Sequence, residues 1–300
     1  MERAGYGPRE SSAPAFSLYR ITAVKAPHRR SDNTIKPERL MTKLAANLTM
    51  LFNEVGFLDR FEAAARAGFR GVEFLFPYAF HADQIADRLN RFQLDLVLHN
   101  LPAGKWDAGE RGIACHPDRV GEFQDGVGEA IKYAKVLGVR QLNCLVGIQP
   151  QNVKREQAQE TLVENLRFAA SALAAEHIDL LIEPINTFDI PGFFLSRTQQ
   201  ALDLINQVNA PNLYVQYDIY HMQRMEGEIA ATIKANLPKI KHVQLADNPG
   251  RNEPGTGELN YHFLFKFLDE IGYNGWIGCE YKPKTTTEAG LGWRAEHGVQ

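Results

Sequence analysis

The feature that most restricts how this chain can fold is an alternation. After Met41, eight short apolar runs (43–49, 71–76, 94–100, 141–146, 179–183, 213–218, 242–246 and 276–281) take turns with stretches of helical period. Each run is apolar at almost every position, the pattern of parallel strands covered on both faces rather than of ribbons with one face in water. Between the runs the spacing changes. Within 155–176, Ala158, Leu162, Leu166, Ala169 and Leu173 recur at steps of three and four, which marks one buried helix face. Phe57, Leu58, Phe61, Ala64 and Ala65 do the same within 57–68, and Gly68 and Gly138 (closing 120–138) stand where helices should stop. Pro211 separates the helical stretch 202–208 from the sixth run. Eight strand–helix units in the 260 residues after position 40 match a (β/α)8 TIM barrel, which needs ~250 residues. The predicted fold class is therefore α/β, with residues 41–300 forming one barrel domain. Its eighth helix is weak, with only a short helical stretch at 288–296. An open doubly wound sheet would carry a glycine-rich phosphate turn after its first strand, and 47–53 contains no glycine.

Residues 1–40 differ from the rest. They hold eight Lys/Arg against four acids, a net of +4, which leaves 25 basic against 32 acidic residues, or −7, for the remainder. Interrupted by Ser, Pro and Gly and without an apolar period, this segment reads as a disordered extension ahead of a functional start at Met41. It has no continuous apolar stretch of the secretory kind, and its acids argue against an organelle transit peptide. Elsewhere, 44% hydrophobic and 23% charged residues suffice for a large core. No apolar run approaches the ~18–20 residues of a membrane-spanning helix, and a net charge of −3 offers no footprint for nucleic acid. Cys115, Cys144 and Cys279 are odd in number and lack a CxxC, so neither a disulfide framework nor a zinc knuckle is expected, and a reducing cytoplasm suits them. Cys144 and Cys279, inside strand runs, read as packing residues.

In such a barrel the working groups lie at the C-terminal strand ends. Three of those ends carry an acid after apolar residues: Glu183 after Leu180-Leu181-Ile182, Asp218 after Val215-Gln216-Tyr217, and Glu280 after Ile277-Gly278-Cys279. One such acid is ordinarily paired with a nearby Lys or Arg. Three that converge near a barrel axis repel unless something positive neutralises them. A divalent cation is the economical solution. Glu183, Asp218, Gln244 and Glu280 would offer it four oxygens, a set that suits Mg2+ or Mn2+ better than Zn2+. His99 and His221, at or just past strand ends, are candidates to hydrogen-bond a substrate oxygen or bind a carboxylate. Lys282 and Arg111 are candidate cations for the same purpose, and Trp106–Gly112 (WDAGERG) reads as a lid. The Gly/Pro-rich stretch 248–260 reads as a shaped loop ended by Asn260 as a helix cap, without P-loop spacing. The HExxH and GxSxG signatures are absent.

The stretches AANLTMLFNE, GFRGVEFLFPY, LHNLPAGKWDAGERGIAC, LLIEPINTFDIPGFFL, QYDIYHMQRMEGE, HVQLADNPGRNEPGTGELNY and GWIGCEYKP together resemble the hydroxypyruvate isomerase family, within the xylose isomerase-like barrels. The resemblance runs from about Met41 to Trp293. It implies that Glu183 and Glu280 act as acid and base, and that Glu183, Asp218, Gln244 and Glu280 are the metal positions. Much of the wider group has a His at the seventh-strand position where this chain has Gln244, which argues against Zn2+. The implied reaction, of glyoxylate metabolism, interconverts hydroxypyruvate and 2-hydroxy-3-oxopropanoate through an enediolate, with a small 2-oxo acid as partner. The nearest rival is a sister isomerase acting on the four-carbon 2-oxo-tetronate. A DNA-repair endonuclease on the same barrel would need a His-rich multi-zinc site and a basic groove, and a catalytically silent binding barrel is the remaining alternative. Phe263, Phe265 and Phe267 do not all fit one buried helix face, which points to a homo-oligomer contact.

Overall fold

All eight expected strands form, and they close on themselves. The computed structural model describes Met1 and residues 42–299, so the expected extension 1–40, Met1 apart, and the start at Met41 lie outside the described residues. The strands are β1 (Lys43–Asn47), β2 (Gly71–Glu73), β3 (Asp95–Asn100), β4 (Gln141–Cys144), β5 (Asp179–Ile182), β6 (Leu213–Asp218), β7 (Ile240–Leu245) and β8 (Trp276–Cys279). Every neighbouring pair is parallel, and β8 returns to β1 through Lys43↔Trp276 and Ala46↔Cys279.

Most strands end earlier than the apolar runs that announced them. Leu48, Phe74, Leu145 and Glu183 are buried but lie past the last residues of β1, β2, β4 and β5. Hydropathy registers burial, not pairing, and the loops at the mouth are themselves covered. Their backbone still finds partners, as where Leu48 N–H donates to Glu73 C=O at 2.7 Å.

The helices are α1 (Arg60–Arg66), α2 (Ala82–Phe92), α3 (Val120–Leu137), α4 (Arg155–Ala174), α5 (Thr198–Val208), α6 (Ile219–Met225), α7 (Ile229–Asn236), α8 (Tyr261–Glu270), α9 (Thr287–Gly290) and α10 (Trp293–His297). In α4 the buried residues include Ala158, Leu162, Leu166, Ala169 and Leu173, the expected face. Gly138 ends α3 at φ 72°, a conformation that glycine adopts without strain. The weak eighth unit proves to be two short helices rather than one. Its anchor is Trp293, buried and stacked on Phe265 of α8 at 5.8 Å.

Two buried apolar clusters hold the barrel. The larger joins strands to helices, and fully burying a side chain such as Leu142 or Leu162 there stabilises by about 1.5–3 kcal/mol. The smaller, Ala45, Val97, Leu98 and Leu181, comes from strands alone and fills part of the barrel's inside. The register sets Asn47 beside Glu73, Asp218 beside Gln244, and Gln244 beside Gly278. Polar side chains from distant parts of the sequence thus meet toward the C-terminal ends.

Candidate active site

Each acid is presented by a strand end. Glu183 is the first residue past β5, and its Oε2 accepts from Asn143 Nδ2 of β4 at 3.0 Å. Asp218 ends β6 and caps α6: its Oδ1 accepts the backbone N–H of Tyr220 at 2.7 Å and of His221 at 3.4 Å. Glu280 is the first residue past β8. Its Oε1 accepts from Asn47 Nδ2 at 3.2 Å and its Oε2 from Arg251 Nη2 at 2.6 Å. One ligand atom from each of Glu183, Asp218, His221 and Glu280 can be chosen so that all lie within 4.8 Å of one another, and all four residues are buried. Glu183, His221 and Glu280 line a cavity of about 520 Å3, with Asp218 fully buried behind them.

Burial is the main force on these groups. It pushes the Glu280 carboxyl up to about 8, against the pull of Arg251 and with the charges of Asp218 and Glu73 adding to it. Glu183 is held well above the usual carboxylate range by burial, then by Glu280 and Asp218. Asp218 rises to about 6 by burial, although Arg251 and its two backbone donors oppose the shift. Near neutrality the cluster therefore keeps protons that free carboxylates would release. Arg251 loses to burial but gains more from Glu280, Asp218 and Glu183, and stays charged.

His221 is neutral, its pKa driven well down by burial and by Arg251 and Arg224. Its tautomer follows from Asn186. That side-chain oxygen accepts the N–H of Phe188 at 3.1 Å and of Asp189 at 2.8 Å, so its amide nitrogen faces His221 Nδ1 at 2.6 Å. Nδ1 accepts there, and the ring proton sits on Nε2, 3.5 Å from Asp218 Oδ2 and 3.8 Å from Glu183 Oε1. His221 thus faces the cluster as a donor.

A divalent cation fits the three carboxylates. They are hard oxygen donors, and the buried Asp218 Oδ2 has no hydrogen-bond partner among the described residues. Gln244 lines the same cavity, but both ends of its amide are engaged: Oε1 accepts from Gln216 Nε2 at 2.6 Å, and Nε2 donates to Glu73 Oε1 at 2.7 Å.

The other expected residues are distributed unevenly. Arg111 lines the cavity, stacked over Trp106 at 4.1 Å, and donates to the Trp106 and Glu110 carbonyls without a carboxylate partner among the described residues. Lys282 lines it too and is exposed. The expected lid is tied at one end, where Gly112 pairs with Val146. His99 is not among the cavity-lining residues. Its neighbours Leu98 and Asn100 form that wall, while the imidazole is fully buried, stacked on Phe74 at 6.4 Å and edge-on to Tyr78 at 6.0 Å. Strand alternation turned it outward.

Sequence reasoning missed Arg251. It sits in the Gly/Pro-rich stretch 248–260, where an arginine is unremarkable by composition. The loop is shaped, as expected, and the device is Asp247: its carboxylate accepts backbone N–H groups of Asn248, Gly255, Gly257 and Leu259 at 2.9–3.1 Å. Those amides face an internal acid and are closed to a phosphate. Asn260 Oδ1 caps α8 through Phe263 N–H at 3.0 Å. Asn47 and Asn143 were also missed as partners of the two glutamates. An amide inside an otherwise apolar run was the available signal.

Residues 61–297 match the family described as xylose isomerase-like TIM barrel. Over 253 residues the chain is 60% identical to hydroxypyruvate isomerase of Escherichia coli (strain K12), covering 84% of this chain and 98% of that one. It is 48% identical to 2-oxo-tetronate isomerase of Cupriavidus necator, covering 84% and 97%. A crystal structure from Brucella melitensis, described as an AP endonuclease of family 2, is 48% identical with a TM-score of 0.83, covering 85% and 98%. Closed parallel barrel, strand-end acids and sequence identity agree: the chain belongs to the hydroxypyruvate isomerase family of xylose isomerase-like TIM barrels.

Proposed function

We propose that this chain interconverts hydroxypyruvate and 2-hydroxy-3-oxopropanoate, with Glu183 and Glu280 sharing the proton transfers. The observation that carries the reading is that these two buried carboxyls face one cavity while both hold protons more tightly than free carboxyls do. Isomerisation needs one carboxylate to take a proton from carbon 3 and a carboxylic acid to return one at carbon 2. The hydroxyl proton on the carbon-3 oxygen ends on the carbon-2 oxygen, so atoms and charge balance. The passing enediolate carries negative charge on oxygen, and two donors on the cavity wall can meet it: Arg251 Nη2 and His221 Nε2–H, which lie 3.5 Å apart. Arg111 and Lys282, cations on the cavity wall without an ion-pair partner among the described residues, hold the substrate carboxylate. His99 supports that wall from behind.

Glu183, Asp218 and Glu280 would hold a divalent cation, Mg2+ or Mn2+, with Gln244 joining them once its amide leaves Gln216. Such a cation would supply charge stabilisation for the developing oxyanion. No described helix is long and apolar enough to cross a membrane. The −7 charge of residues 41–300 disfavours a polyanionic partner, and three buried thiols suit a reducing cytoplasm.

The four-carbon 2-oxo-tetronate is the second reading, favoured by the Cupriavidus necator relative and by a cavity larger than a three-carbon acid needs. Steady-state assays of both acids on the purified chain decide. A higher kcat/KM for hydroxypyruvate is expected, and a preference for the four-carbon acid would overturn the assignment.

A further inference from the structure

A fourth buried carboxylate lies beside the site, and the reaction above does not use it. Glu73, the last residue of β2, is wholly buried and is not among the residues lining the cavity. Three donors converge on it. Its Oε1 accepts from Asn47 Nδ2 at 3.0 Å and Gln244 Nε2 at 2.7 Å, and its Oε2 lies 2.7 Å from His242 Nε2. Barrel closure requires none of this, and a carboxylate away from water is costly to keep. Strand β8, on the far side of β1, has made room for it: a β-carbon at Gly278 would collide with the Glu73 carboxylate.

Asn47 is the link to the chemistry. Its Oδ1 accepts the Thr49 backbone N–H at 3.1 Å, which sets the sense of the amide. The two hydrogens on Nδ2 are then divided, one toward Glu73 Oε1 and one toward Glu280 Oε1. Fixed at three corners, the amide fixes where the Glu280 carboxyl points.

We propose that Glu73 is a positioning residue, holding the Asn47 amide and through it the Glu280 carboxyl in the orientation that proton transfer requires. This rests on the role given to Glu280 above. A small misorientation of a reacting group can cost up to about 10²-fold in rate with little effect on binding.

The test compares the wild type with Glu73→Met, Asn47→Ala and the double variant, on hydroxypyruvate, with thermal melts alongside. Each single variant should lose at least tenfold in kcat with KM within about twofold. The double should be no slower than Asn47→Ala alone, because Glu73 acts through Asn47. Should Glu73→Met fail to fold, Gly278→Ala, which displaces the same carboxylate, takes its place in the comparison. Unchanged kcat in folded Asn47→Ala, losses that multiply in the double, or a rise in KM alone would overturn the role. A wild type that is inactive on the 2-oxo acids overturns the functional reading and this role together, whereas an active wild type with unchanged variants overturns this role only.

Discussion

Three carboxyls and one guanidinium packed within a few ångströms cannot all be charged at once without cost, and that frustration makes the site useful. Glu280, pushed up to about 8 chiefly by burial, binds a proton in the folded chain that the unfolded chain releases near 4.5. Between those values the native state holds more protons than the unfolded one. The contribution to stability is therefore fully present below about 4.5 and is lost as pH rises through about 8. Glu280→Gln, uncharged at every pH, escapes this loss. Its melting temperature relative to the wild type should climb between pH 5 and pH 8.5 while its kcat falls by ~10²–10⁴, the usual share of a general acid or base. Glu183→Gln should lose activity similarly. Melts at the two pH values and steady-state kinetics check both, and a pH-independent melting difference would contradict the raised value. These acids were legible because an acid closing an apolar run breaks the rule that charge stays in water. Arg251 broke no rule, being an arginine in a polar loop, and only the fold reveals what it faces.

At the scale of elements, the connection from β7 to α8 carries the positive charge into the site. Asp247 gathers four backbone amides, and Arg251 N–H donates to the Asp247 carbonyl at 2.9 Å while the Arg251 carbonyl accepts from Lys282 N–H at 2.8 Å. The loop is thus pinned both to its own stem and to the end of β8. Asp247→Ala would leave several amides without partners, at about 1–3 kcal/mol for each that stays buried. We expect a clear loss of stability, a fall of at least tenfold in kcat/KM as Arg251 loses its place, and faster amide hydrogen exchange at Gly255 and Gly257. Wild-type kinetics in that variant would show that Arg251 is held by other means. Composition forecast a shaped loop and its Asn260 cap because Gly, Pro and Asn have strong local preferences. It could not forecast the hub, since an aspartate after a strand is read equally well as solvated. Strand ends were overrun for a related reason: Leu48, Phe74 and Leu145 are buried although they lie past the ends of β1, β2 and β4.

The whole molecule adds what no single element has. Glu183, Asp218 and Glu280 are up to 97 residues apart in sequence and share a site only because eight parallel strands close with β8 against β1. That closure was readable from the eight apolar runs, since the barrel's dimensions leave few other ways to cover them. The direction of individual side chains was less readable: one residue of alternation separates His99, turned outward, from Asn100, which lines the cavity. Convergence also bears on stability. A cation held by three acids from β5, β6 and β8 has no comparable site in the unfolded chain, so binding stabilises only the native barrel. At a hundred times its dissociation constant it would add about 2.7 kcal/mol, which for a barrel of this size is worth roughly 5 °C or more in melting temperature. Mn2+ or Mg2+ added to chelator-treated protein at pH 7.5 should therefore raise the melting temperature. Asp218→Asn should abolish the rise, because the buried Asp218 Oδ2, without a hydrogen-bond partner among the described residues, becomes, or stands beside, a neutral amide nitrogen. Differential scanning calorimetry with metal analysis of the same samples measures both quantities. A melt that ignores both cations would assign neutralisation of the three carboxyls to Arg251 and to the protons they retain.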